Sequence, residues 1–186
     1  MRKLGTVLLF VCLLTGCSGK SKEIQRAMDL RAQLLRAQEV SFDADITADY
    51  GDKRYVFSLN CVSDDLGNLG FTVTAPETIA GITGHVSKGE GKLTFDAVAL
   101  EFDTMADDQV TPVTAPWLFL TTLRSGYLTA AGEEGDLLRL SIDDSYEEDA
   151  LHMDIWLNAE NVPVRGEILY DDRRILSLDV KNFAIS

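Results

Sequence analysis

The residues able to do acid–base, nucleophilic or metal chemistry are scattered along this chain in patterns that mostly lead nowhere. His85 and His152 are the only imidazoles, and neither has a second histidine or a cysteine at metal-ligand spacing. His152, set between Leu151 and Met153, reads as the polar side of a strand. No Gly-x-Ser-x-Gly elbow occurs, so serine hydrolysis has no handle. Gly81, Gly84, Gly89 and Gly91 lack the lysine–serine ending of a phosphate loop and read as turns and bulges. Asp43, Asp45 and Asp49 look like a calcium ladder, yet the glycine and closing glutamate of an EF-hand do not fit there. Asp143, Asp144, Glu147, Glu148 and Asp149 crowd a hairpin tip, with a solvated turn preferred over a weak calcium site. Glycoside hydrolysis needs a distinguished carboxylate pair, and nothing distinguishes one. No catalytic residue, metal or cofactor is expected.

Chemistry is specified at Cys17. Arg2 and Lys3 supply a positive start, and Val7 to Leu14 a short apolar run. That run is well below the ~20 residues of a membrane-spanning helix, so it reads as a secretory signal that is removed. Leu14-Thr15-Gly16-Cys17 resembles the bacterial lipobox, which implies diacylglycerol transfer to the Cys17 sulfur and cleavage before it. Residues 1–16 are then a signal peptide, 17–22 a lipidated tether and 23–186 the domain. Two or three acyl chains on one residue anchor stably, so the expected location is extracytoplasmic, lipid-anchored to the cell membrane. Cys12 departs with the signal, leaving Cys61 without an internal disulfide partner. Cys61 alternates with Tyr55, Phe57 and Leu59 and reads as a buried strand residue.

Charge narrows the partners. Arg2 and Lys3 leave with the signal, so 17 basic residues become 15 against 30 acidic ones, a mature charge near -15. Such a surface argues against nucleic acid and against an electrostatic grip on anionic lipid. The membrane is met through the lipid on Cys17. The ~165 remaining residues suit one domain with one core.

The elements follow from periodicity. Residues 23–39 read as an amphipathic helix with Ile24, Ala27, Met28, Leu34 and Leu35 on one face, capped by Ser21. From Ser41 the period becomes two. Phe42, Ala44, Ile46 and Ala48 alternate with polar neighbours, Tyr50 to Lys53 turn, and Tyr55, Phe57, Leu59 and Cys61 return. Further strands are expected around Leu69 to Val73, Ile82 to Ser87, Lys92 to Phe95 and Val98 to Phe102. Thr114-Ala115-Pro116 then opens a short apolar helix, Trp117 to Arg124, that stops at Gly126. Four strands follow, through Leu138, Leu151, Val164 and Leu176, with Asp171 to Arg173 as the last tight turn. Trp156 falls opposite Met153 and Ile155, on the outer sheet face. This order is α+β with a large antiparallel sheet.

With these elements in hand, the chain resembles the LolA/LolB-type lipoprotein carriers. Their fold class includes the RseB-like regulators, the mycobacterial LppX/LprG lipid carriers and the clostridial germination lipoprotein GerS. The stretch Ala75-Pro76-Glu77-Thr78-Ile79-Ala80-Gly81-Ile82, then Lys92-Leu93-Thr94-Phe95, carries the resemblance, as does Val162 to Tyr170. It implies a curved antiparallel half-barrel with an N-terminal helix and a short central helix on the concave side. It also implies an acyl chain held between sheet and helices, and no catalytic residue.

On this basis Trp117, Phe119, Leu120 and Leu123 are the candidate ligand-binding residues. If one face of their helix looks into a cavity, the protein binds a lipid, an acyl chain or a lipoprotein. If the helix is buried all round, the same fold has a filled pocket. It then serves as a non-enzymatic interaction or scaffold lipoprotein, with the acidic surface and Trp156 meeting a protein partner.

Overall fold

The computed structural model describes residues 18–186 except 89, 96–97, 104, 107–108, 148–149 and 171–172. Cys17 and the signal segment lie outside the described residues, as do Glu148, Asp149, Asp171 and Asp172. After helix α1 (Ser18–Leu34) come strands β1 (Glu39–Asp49), β2 (Arg54–Asp64), β3 (Leu69–Ala75), β4 (Thr83–Ser87), β5 (Glu90–Phe95) and β6 (Val98–Asp103). A small ladder, β7 (Met105–Ala106) with β8 (Gln109–Val110), leads through the 3-10 turn Pro112–Thr114 into helix α2 (Ala115–Ser125). The chain closes with β9 (Tyr127–Glu134), β10 (Leu137–Asp143), β11 (His152–Leu157), β12 (Pro163–Tyr170) and β13 (Arg173–Ile185).

Eleven strands form one open, curved antiparallel sheet in the order β6-β5-β4-β3-β2-β1-β13-β12-β11-β10-β9. The first and last strands meet at its centre, Val40 opposite Ile185 and Ile46 opposite Leu178. Period-two alternation decides which face is apolar. Val40, Phe42, Ala44, Ile46 and Ala48 of β1 are all buried, and Leu59 and Cys61 of β2 continue the same face. Burial pushes the Cys61 thiol pKa well up, with the nearby Asp43 charge adding to it, so the thiol stays protonated. The polar face of β1 is tied up in turn: Asp43 accepts from Asn60 at 2.9 Å and Asn182 at 2.7 Å, and Asp45 from Ser58 at 2.6 Å and Lys181 at 2.6 Å.

Helix α2 opens and stops as its sequence predicts, with Pro116 in its first turn and Gly126 at its C-cap. Thr114 does not cap it with its side chain; its hydroxyl donates to the Thr111 carbonyl at 2.7 Å. Phe119 packs on the sheet where β12 has no side chain: a Cβ on Gly166 would stand 2.8 Å from its ring. A glycine is needed there for close approach, not for its backbone angles.

Helix α1 departs from the expected 23–39. It begins at Ser18, so Ser18 to Lys22 are helical and Ser21 lies inside the helix rather than capping it. It ends at Leu34, because Gln38 and Glu39 already donate to the Ser186 carbonyl at the sheet. Its buried face is Ala27, Leu30 and Leu34, whereas Ile24, Met28 and Leu35 are exposed. Two arginines set that rotation: Arg31 donates to the Leu123 and Gly126 carbonyls, at 2.9 and 2.8 Å, and Arg26 to the Asn158 carbonyl at 2.8 Å.

Trp156 lies on the outer face as expected, but it is covered there. Arg139 and Arg165 are its direct cross-strand neighbours. Their guanidinium carbons stand 5.6 and 4.8 Å from its ring, and the tryptophan is 6% exposed. Stacked arginines of this kind shield a ring and attract its face, so Trp156 offers no free aromatic contact. Beside it the buried Asp154 takes hydrogen bonds from Arg139 at 2.6 Å and Ser141 at 2.7 Å. Burial alone would raise its pKa, but those bonds and the Arg139 charge hold the carboxyl below the usual range.

Candidate functional site

The concave face is not filled along its whole length. Under the β2 to β5 half of the sheet lies an open cavity of about 470 Å³, within the ~300–1,000 Å³ range of small-molecule sites. Separate pieces of chain build it. Tyr55 and Phe57 come from β2, Val73 from β3 and Leu93 from β5. Ile79 and Ile82 come from the loop after β3, which folds back on its own strand: Gly81 donates to the Val73 carbonyl at 2.9 Å and Val73 to the Ile82 carbonyl at 2.8 Å. Gly81 has φ +88°, a left-handed angle that favours glycine and allows the fold-back.

The remaining wall is a strap, Val110 to Val113, lying between the sheet edge and α2. Its hold on the sheet is specific. The Tyr50 hydroxyl, in the turn between β1 and β2, donates to the Val110 carbonyl, and the Thr111 hydroxyl donates to the Asp103 carbonyl at 2.7 Å. Tyr50 is buried, and its ring meets Tyr55 edge-on at 6.3 Å between centroids. Burial, with Tyr55 beside it, pushes the Tyr50 pKa up to about 12, so its hydroxyl remains a donor at neutral pH. Removing that donor as Tyr50→Phe leaves a carbonyl without its partner. The expected cost is about 1–2 kcal/mol of stability in urea denaturation, with faster release of any bound chain. A neutral substitution would show that the strap is held elsewhere.

Among the described residues the lining is apolar almost throughout, and Lys53 is its one charged member. The apolar concave surface continues past Leu93 to its cross-strand neighbour Leu100 and on to Val98, which are 63% and 71% exposed on the free edge strand β6. A long apolar chain could therefore be covered by the cavity and still lead outward along this lip. Among the described residues the lining forms no nucleophile–base pair: it offers tyrosine and threonine hydroxyls and one ammonium. Among the described residues, no group of three or more histidine, cysteine or acidic side chains is placed to hold a metal.

Helix α2 is elsewhere. Phe119, Leu120 and Leu123 are 0, 2 and 3% exposed in the core, and Phe119 meets Phe42 at 6.1 Å. Trp117 is half-buried and donates from its ring to the Gly67 carbonyl at 3.1 Å, in the turn between β2 and β3. The structure brings these four residues together on one helix, but none of them is part of the cavity wall. In the sequence Tyr50 reads as a turn residue and Ile82 as the start of a strand, and Ile79 and Ile82 enter only through the stretch that carries the family resemblance; none of the three stands out as a site residue. A usable signal was the run Val110-Thr111-Pro112-Val113: apolar, proline-containing and set between two regular elements.

No protein-family model matches the chain, and no curated protein matches it in sequence. In fold it is similar to solved structures that include a LolA superfamily protein from Nitrosomonas europaea, at 8% identity and TM-score 0.48 over 91% of this chain and 94% of that one. Another is the Mycobacterium tuberculosis lipoprotein LppX, at 12% identity and TM-score 0.41, covering 87% and 93%. A third is the Pseudomonas aeruginosa MucA/MucB complex, at 13% identity and TM-score 0.41, covering 86% and 57%.

Proposed function

We propose that this protein is a membrane-anchored, extracytoplasmic lipoprotein that binds a lipid or other hydrophobic ligand without transforming it. The observation that carries the reading is the apolar cavity of about 470 Å³ between the concave sheet and the Val110–Val113 strap. Each methylene that leaves water for such a wall contributes ~0.8 kcal/mol. Burying an acyl chain there would therefore offset much of the cost of association and ordering. Helix α2, with Trp117, Phe119, Leu120 and Leu123, serves ligand binding by holding the sheet curved rather than by touching the chain. The direct test is native mass spectrometry of the chain from Ser18. The buried hydrophobic residues of the described structure run from Ala27 to Val180, so a chain beginning at Ser18 carries this core.

Anchoring rests on Leu14-Thr15-Gly16-Cys17 and on the lack, among the described residues, of a helix long and apolar enough to cross a membrane. Cells fed labelled palmitate are expected to label the natural chain and to leave Cys17→Ala unlabelled. Label retained in Cys17→Ala would contradict the lipid assignment. The alternative, a scaffold with a filled pocket, loses its main aromatic contact because Trp156 is covered by Arg139 and Arg165.

A further inference from the structure

We infer that the cavity selects an amphiphile with one acyl chain and an anionic head, and that Lys53 is the residue that reads the head. The inference rests on the cavity being the ligand site and goes further in naming the ligand class. Two observations carry it, one of size and one of charge.

A methylene takes roughly the 30 Å³ that a water molecule takes in the liquid, so the space of about 470 Å³ under the strap matches a single chain of about 15 carbons, and a second chain would have to lie on the open lip at Leu100 and Val98. Two chains of membrane length need about twice that. The walls resist expansion to that size. The strap is tied at Tyr50–Val110 and Thr111–Asp103, and the loop carrying Ile79 and Ile82 is bonded back to Val73.

Charge supplies the second half. Lys53 is exposed at the end of the β1–β2 turn and is the only ionic group among the described residues of the lining. Its backbone is fixed, because the Tyr50 amide donates to the Lys53 carbonyl at 3.0 Å. Among the described residues no carboxylate lies within salt-bridge distance of its ammonium. Of the acids in the same turn, Asp49 accepts from the Gly51 amide at 2.9 Å, and Asp52 is exposed. The whole chain has a formal charge of -13, so its general field repels anions. A cation at the rim of an apolar cavity is then a local exception. With the acyl chain buried, a carboxylate or phosphate on its end would meet the ammonium while remaining partly in water. The Tyr55 ring, 46% exposed, stands beside the same opening.

The experiment uses the chain from Ser18 with three probes: myristate, 1-monomyristoylglycerol and dimyristoylphosphatidylglycerol, each below its aggregation concentration. Binding is measured by titration calorimetry at low and high salt. Myristate is expected to bind one to one and more tightly than the uncharged glyceride, with the preference shrinking at high salt. In Lys53→Gln the ratio of the two affinities is expected to fall about fivefold, as for a partly exposed charge pair. An unchanged ratio, or no preference in the natural chain, overturns the head-group role while leaving the cavity occupied. Dimyristoylphosphatidylglycerol bound as tightly and at the same stoichiometry overturns the one-chain limit. Failure of both single-chain probes overturns the cavity reading itself. Circular dichroism of Lys53→Gln separates lost selectivity from lost fold.

Discussion

Phe119→Ala is expected to cost about 3–5 kcal/mol of folding stability, the range for truncating a buried aromatic in a packed core. The ring is fully buried, faces Phe42 at 6.1 Å and lies on the bare backbone of Gly166. Small domains have only about 5–15 kcal/mol in total, so this one change would bring the protein near its limit. Leu120→Ala should lose about 2–5 kcal/mol, while Leu120→Trp should destabilise by overpacking. Urea denaturation of each variant gives the numbers. A helix facing an empty cavity would behave differently: truncation would open little new void, and the larger side chain would be accepted. Near-neutral Phe119→Ala and Leu120→Ala, with altered ligand binding, would return α2 to the ligand-binding role its sequence suggests.

Leu93→Trp should do the reverse. Leu93 is only half-buried, lines the cavity and stands opposite Gly84 in the neighbouring strand. Indole is well suited to a strand and has empty space to enter, so stability should change by no more than about 1 kcal/mol, as for a site without overpacking. The ring would take the place of ligand. Displacing about four methylenes at ~0.8 kcal/mol each should weaken a fluorescent fatty-acid probe more than 100-fold. Together, the two substitutions assign stability to one part of the concave face and binding to the other. A stable Leu93→Trp protein that holds the probe as tightly as the natural chain would place the ligand elsewhere.

Legibility along the sequence tracked how local the deciding interactions are. In β1 the alternation is complete and in β2 it holds from Phe57 to Ser63, and the pairing of Ala44 with Leu59 and Phe42 with Cys61 agrees with it. Helix α2 was equally legible, since Pro116 and Gly126 mark its ends through backbone chemistry alone. Strand β9 was not foreseen, because it is an edge strand: Tyr127, Thr129, Ala130 and Glu133 are exposed, so no apolar period marks it. The rotation of α1 was also hidden. Arg26 and Arg31 fix it through carbonyls about a hundred residues or more away, and a helical wheel weighs only apolar side chains. Trp156 was placed on the correct face, but its cover comes from Arg139 and Arg165 on two other strands.

The cavity could not be read because no single segment contains it. Tyr50 has an ordinary turn context, Leu93 an ordinary strand context, and Val110 to Val113 sit in a short connection. Their convergence depends on the sheet's curvature and on the hydroxyl of Tyr50 finding the Val110 carbonyl. The four residues of α2 stood out because four large apolar side chains fall within one short segment. Such density is a core signal as readily as a cavity signal; in the structure Phe119, Leu120 and Leu123 are buried and Trp117 is half-buried.

The central claim, that the concave side of this sheet holds a hydrophobic ligand, is tested most directly by native mass spectrometry. The chain from Ser18 is made in its own host behind a cleavable secretory signal without a lipidation cysteine, exported and purified without detergent. The spectrum is expected to show a population heavier by the mass of one single-chain lipid, absent when the same chain carries Leu93→Trp. An unliganded protein in both cases, with no fatty-acid probe taken up on addition, would contradict the account.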